Sequence, residues 1–243
     1  MMKKTIRAAV IGNFHALALC YLLVACACAE KKLEYFPQAE GIRWLYSLTY
    51  ETVDESRNER LMIENLPAAE MDGHEVLLQK TLQGDELVYS EREEGLFRDG
   101  YFTGRGAKRR FVPQEQLLIP RPAVTGAKWQ STLKTIALEN GGPRGVVIDE
   151  QVSVEAVVKS LNDVVNVKAG RFRNCLRIEK VGEKDIPLGK YQYIGNTRLR
   201  VRETSWYAPG VGLVKVSRQE ETDARLLKQG KYELELRSVA GLE

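Results

Sequence analysis

Lys231-Tyr232-Glu233-Leu234-Glu235-Leu236-Arg237 decides the fold. Tyr232, Leu234 and Leu236 alternate with Lys231, Glu233, Glu235 and Arg237, the period-two pattern that turns one side of an extended chain to a core and the other to water. The reading extends upstream. Leu199 and Val201 alternate with Arg198, Arg200 and Arg202; Leu176 and Ile178 with Arg177 and Glu179; Val152 and Val154 with Ser153 and Glu155. Half-buried antiparallel strands give this signature. Val157 to Val165 is the one stretch with arguable helical spacing, and its β-branched residues favour a strand. Breakers recur between the runs at Asp72-Gly73, Gln83-Gly84-Asp85, Asp99-Gly100, Asn140-Gly141-Gly142-Pro143, Ala169-Gly170, Gly195-Asn196 and Pro209-Gly210. Turns at such intervals predict an all-β domain built as a meander of hairpins.

Gly41-Ile42-Arg43-Trp44 and Gly126-Ala127-Lys128-Trp129 echo each other and read as two similar strand starts in one sheet. Pro113, Pro120 and Pro122 fall between the halves, where the loss of backbone donors predicts a crossover loop or a strand edge. One continuous sheet is favoured over a domain boundary there.

The N-terminus is of another kind. Lys3, Lys4 and Arg7 precede an apolar segment from Ala8 to Val24, the layout of an export signal. Leu23-Val24-Ala25-Cys26 resembles the lipobox of bacterial lipoproteins, in which a peptidase cuts before the cysteine and the sulfur takes a diacylglycerol. The expected organisation is therefore a lipoprotein signal peptide over 1–25, a lipidated linker over 26–34 and an antiparallel β domain over 35–243. A triacylated Cys26 holds a protein on a membrane, because several acyl chains anchor stably where one does not. Ala27 after the cysteine resembles lipoproteins sent to the outer membrane. The alternative is ordinary cleavage after Ala29 in Ala27-Cys28-Ala29, releasing a soluble periplasmic or secreted protein. Cys20 lies in the leader, and Cys28 and Cys175 remain; Cys175, in an apolar run, is expected to be a buried structural thiol.

The chain has 243 residues, 44% hydrophobic and 8% aromatic, enough for a substantial core. Its 36 Lys and Arg exceed 33 Asp and Glu by three, and the leader holds three of the bases with no acid. A balanced exported part lacks the cationic surplus that phosphate backbones require, so nucleic acid is not an expected partner.

Tyr35-Phe36-Pro37, Gly41-Ile42-Arg43-Trp44, Ala169-Gly170-Arg171-Phe172-Arg173-Asn174-Cys175-Leu176 and Tyr207-Ala208-Pro209-Gly210-Val211-Gly212-Leu213-Val214-Lys215 resemble motifs of exported bacterial proteins related to the DUF3108 and TapB-like families. The resemblance spans most of the exported chain and departs at Gly104 to Arg110. It implies a curved antiparallel sheet, similar to the half-barrels of lipoprotein carriers, and no settled activity.

No H-E-x-x-H, G-x-S-x-G, P-loop or C-x-x-C pattern is present, so neither metal nor other cofactor is expected. His74 follows the Asp72-Gly73 turn and reads as exposed. Arg105, Lys108, Arg109 and Arg110 form the densest basic run, either a solvated hairpin tip or a contact for anionic headgroups or an acidic partner. Arg198, Arg200 and Arg202 pose the same choice, with cross-strand acids as the bland answer. Trp44, Trp129 and Trp206 either complete the core or line a groove for a lipid or peptide. The expected function is a lipid-anchored, non-enzymatic envelope protein facing the periplasm and serving as a binding or assembly module. The alternative is a carrier of a lipid or hydrophobic peptide in the concave face of the sheet. A third reading, an unrecognised hydrolase, requires a pocket gathering His74 or Cys175 with carboxylates. A carrier exposes an apolar cavity, whereas an assembly module fills that space with its own side chains.

Overall fold

The computed structural model describes residues 35–242 apart from 53–54, 105, 141–147, 188–194 and 225–228. Cys20, Cys26, Cys28 and Arg105 lie outside the described residues. Strands follow one another as β1 Arg43–Glu51, β2 Ser56–Asn65, β3 Ala69–Met71, β4 His74–Thr81, β5 Glu86–Arg92, β6 Gly95–Thr103, β7 Arg110–Pro120, β8 Lys128–Lys134, β9 Gln151–Val167, β10 Gly170–Pro187, β11 Asn196–Ala208, β12 Gly212–Thr222 and β13 Gln229–Ala240. A helical turn, α1 Ala137–Asn140, lies between β8 and β9.

All strands belong to one antiparallel sheet in the order β7-β6-β5-β4-β2-β1-β13-β12-β11-β10-β9-β8, with β3 attached to β4. Hairpins account for nearly every step. At Asp72-Gly73 both residues take positive φ, 52° and 79°, which gives the primed two-residue turn whose twist matches that of the flanking strands. Two pairings are non-sequential: β2 with β4, which skips the short β3, and β1 with β13, where Tyr50 faces Tyr232 and Leu48 faces Leu234. The two ends of the domain thus sit side by side in the middle of the sheet.

The expected curved antiparallel sheet forms, and its curvature carries it to a nearly closed barrel with one seam. That seam lies between β7 and β8, consecutive in sequence but at opposite ends of the strand order. Pro113 and Pro120 belong to β7, so the proline stretch is a strand edge, as expected of a segment unable to donate a full ladder. Side chains bridge what the backbone leaves open. Trp129 Nε1 donates to the Leu117 carbonyl at 3.0 Å, and Gln116 Nε2 donates to Ser131 Oγ at 2.9 Å.

The inward faces follow the alternation read from the sequence. Leu199, Val201, Val214, Leu234 and Leu236 are buried, as are Val152, Val154, Leu176 and Ile178. Each fully buried aliphatic side chain of this size contributes about 1.5–3 kcal/mol. The stretch Val157 to Val165 is strand, inside β9. Asp99-Gly100 corrects the turn reading. It lies within β6, where pairing with β7 slips between Arg98 and Gly100, as in a bulge. A Cβ on Gly100 would sit 2.3 Å from the Val112 carbonyl oxygen, so close backbone approach demands glycine there.

Candidate functional site

A cavity of about 410 Å³ lies inside the barrel. It is lined from both halves of the sheet, by Trp44 and Tyr46 of β1, Leu61 and Ile63 of β2, Tyr89 of β5, Arg98 of β6, Gln116 of β7, Tyr207 of β11 and Leu234 of β13. That volume falls in the roughly 300–1,000 Å³ range of small-molecule sites.

The motifs near the two ends of the domain close the wall together. Trp44 Nε1 donates to the Val211 carbonyl at 2.7 Å, and the Tyr46 hydroxyl donates to Leu213 O at 3.0 Å. The bonds pin the β11–β12 turn and the start of β12, where Gly210 and Gly212 take φ of 69° and 92°. Asn65 Nδ2 donates to Pro37 O at 3.0 Å, and Phe36 packs on Tyr89 with ring centroids 4.9 Å apart. Segments far apart in sequence are therefore interlocked beside the cavity.

The second feature is a buried charge network. Arg218 Nε donates to Glu203 Oε2 at 2.8 Å, and Lys180 Nζ donates to Glu203 Oε1 at 3.1 Å. Glu203, Lys180 and Arg218 are each less than a tenth exposed. Burial alone would raise the Glu203 carboxyl, but the charges of Arg218 and Lys180 hold it down to about 2. Glu220, fully buried, accepts from the backbone nitrogens of Ile136 and Leu138 at 2.8 and 2.9 Å and faces Arg218 Nη1 at 3.5 Å. It thereby satisfies donors around α1 that no helix of one turn could satisfy internally.

Around the cavity the phenols stay protonated. Burial pushes Tyr89 up to about 12 and likewise raises Tyr46, Tyr207 and Tyr232 above the ordinary tyrosine value. The hydroxyls of Tyr89 and Tyr207 can act there as hydrogen-bond donors to a guest, whereas that of Tyr46 is already given to Leu213 O.

Of the three tryptophans, Trp44 lines the cavity. Trp129 packs at the seam, and Trp206, half-buried, donates from Nε1 to Asp163 at 3.0 Å. In the basic run, Lys108 and Arg110 are exposed beside a 3-10 turn. Arg109 pairs with Glu86 at 2.6 Å and lies 3.5 Å over the Phe102 ring, which makes this a braced hairpin tip. Arg198 meets Asp185 at 2.9 Å and Arg200 meets Asp223 at 2.8 Å, so acids on neighbouring segments absorb those two charges. His74 is exposed at the start of β4. Cys175 is fully buried, and that burial, with the Asp163 charge, raises its thiol. The pocket gathering His74 or Cys175 with carboxylates, which a hydrolase would need, does not form among the described residues.

Lys180, Glu203, Arg218 and Glu220 escaped the sequence reading, although a signal exists. They continue the inward phases of Leu176-Ile178, Leu199-Val201 and Val214-Val216, placing charges where the alternation calls for apolar residues. Arg98 does the same after Leu96.

No family model matches the chain, and no curated protein does either. The family resemblance drawn from the Tyr35, Trp44, Asn174 and Tyr207 motifs rests on those motifs alone. Two solved structures align with most of the chain. One is a Bacteroides fragilis protein described as exported, with a YMCC-like fold, at 14% identity and a TM-score of 0.40, covering 86% of this chain and 100% of its own. The other is a Parabacteroides distasonis protein described as a lipoprotein, at 10% identity and a TM-score of 0.41, covering 85% of this chain and 98% of its own.

Proposed function

We propose that this protein is a lipid-anchored, non-enzymatic binding protein of the cell envelope that carries a small amphiphilic or apolar molecule inside its barrel. The observation that carries this reading is the cavity. An assembly module would fill the space enclosed by its sheet, whereas here about 410 Å³ stays open between Trp44, Leu61, Tyr89 and Leu234. The Leu-Val-Ala-Cys run ending at Cys26 supports anchoring, and a periplasm-facing position follows from the same resemblance.

The test uses the uncharged dye N-phenylnaphthylamine, whose fluorescence rises in apolar surroundings. The full chain carrying Cys26→Ala, purified without detergent, is expected to bind it saturably. Leu61→Trp is expected to abolish the signal by filling the space from β2. Equal binding by the Leu61→Trp protein, or no binding by its parent, would defeat the carrier reading.

A further inference from the structure

The cavity wall is unevenly charged. Lys134 meets Asp149 at 3.0 Å, Lys180 and Arg218 meet Glu203, and Arg218 also faces Glu220. Arg98 has no carboxylate partner among the described residues. Its Nη2 donates to Gln116 Oε1 at 2.8 Å, while its Nε is buried without any hydrogen-bond partner. The buried Nε carries a desolvation cost that the Gln116 bond at Nη2 does not offset, and such an orphan calls for a guest.

The surroundings fit an oxyanion. Arg98 stands directly opposite Tyr89 on β5 and Gln116 on β7, so the three form one cross-strand row. Tyr207 packs with Tyr89 in the same buried cluster. Neither phenol hydroxyl has a hydrogen-bond partner among the described residues, and both residues line the cavity. The Arg98 charge acts on both phenols, opposing the rise that burial imposes. Gln116 cannot turn away, because its amide nitrogen is held across the seam by Ser131 and Thr132.

Resting on the carrier reading above, we propose that Arg98, with the Tyr89 and Tyr207 hydroxyls, is the head-group site of the cavity, and that the ligand is a single-chain amphiphile ending in a carboxylate. One uncompensated cation matches one negative charge. A phosphate monoester, with roughly −1.5 to −2, would overfill it. The apolar wall of Trp44, Leu61 and Ile63 would take the chain.

The experiment is displacement of N-phenylnaphthylamine from the full chain carrying Cys26→Ala by dodecanoate, dodecanol and dodecyl phosphate. Dodecanoate is expected to displace at concentrations about tenfold below those of dodecanol, as a charge-assisted hydrogen bond supplies. Arg98→Gln should remove that preference. Tyr207→Phe, which deletes only a hydroxyl, should reduce it about threefold. Failure of the dye to bind would overturn the carrier reading, and the head-group site with it. Dye binding with dodecanoate no better than dodecanol, or a preference that survives Arg98→Gln and Tyr207→Phe, would overturn the head-group site alone. A preference for dodecyl phosphate over dodecanoate would overturn the carboxylate assignment.

Discussion

Arg218 on β12 and Glu203 on β11 meet inside the barrel, Nε to Oε2 at 2.8 Å, with less than a tenth of either side chain exposed. Lys180 completes the arrangement from β10. Ion pairs so deep add little net stability over an apolar filling, yet removing one partner strands the others. Glu203→Gln leaves two buried cations facing a neutral amide. We expect a loss of about 3–5 kcal/mol, read from urea unfolding midpoints. A change below about 1 kcal/mol would show that water reaches the site and relieves the cations.

The same carboxylate fixes the acid response. Its folded value, about 2, lies below the ordinary 4.5, so it releases its proton more readily in the folded state. The stabilisation is full above pH 4.5 and is lost as pH falls toward 2, with an amplitude on the order of 3 kcal/mol. Unfolding free energies across that window should slope upward with pH in the parent and lose most of this slope in Glu203→Gln.

Glu220 holds the segment around α1 by accepting from Ile136 and Leu138. Glu220→Ala orphans both donors and leaves Arg218 with one acid fewer. A destabilisation of about 2–4 kcal/mol is expected, since each buried unsatisfied donor costs roughly 1–3 kcal/mol. Amide exchange at Ile136 and Leu138 should accelerate more than exchange in β12 itself, and equal protection at these amides would contradict the capping role.

Anchoring depends on Cys26. Cells expressing the parent should incorporate labelled fatty acid into the protein, which should sediment with membranes. Cys26→Ala should take up no label. Retained label in that variant would contradict the lipobox reading.

The fold was legible because alternation is local. Tyr232, Leu234 and Leu236 declare their face without reference to any partner, and β-branched residues settle Val157 to Val165 as strand. Closure was not legible, since pairing of β1 with β13 joins residues nearly two hundred positions apart and leaves only the prolines of β7 to mark the seam. Asp99-Gly100 misled for a related reason. A glycine inside a strand and a glycine between strands look alike until Val112 is seen against it. The site was partly hidden because Arg98, Lys180, Glu203 and Arg218 look like surface charges one at a time. Only their phase against Leu96, Ile178, Val201 and Val216 places them inside, and only the folded barrel shows that Arg98 has no carboxylate partner among the described residues.

The most direct test of the carrier reading is native mass spectrometry of residues 30–243, expressed with export, purified without detergent and compared before and after denaturation. We expect an adduct of small-amphiphile mass that disappears on denaturation and is restored by incubation with dodecanoate. A bare chain mass throughout, with no uptake of dodecanoate, would contradict the account and return the barrel to a purely structural role.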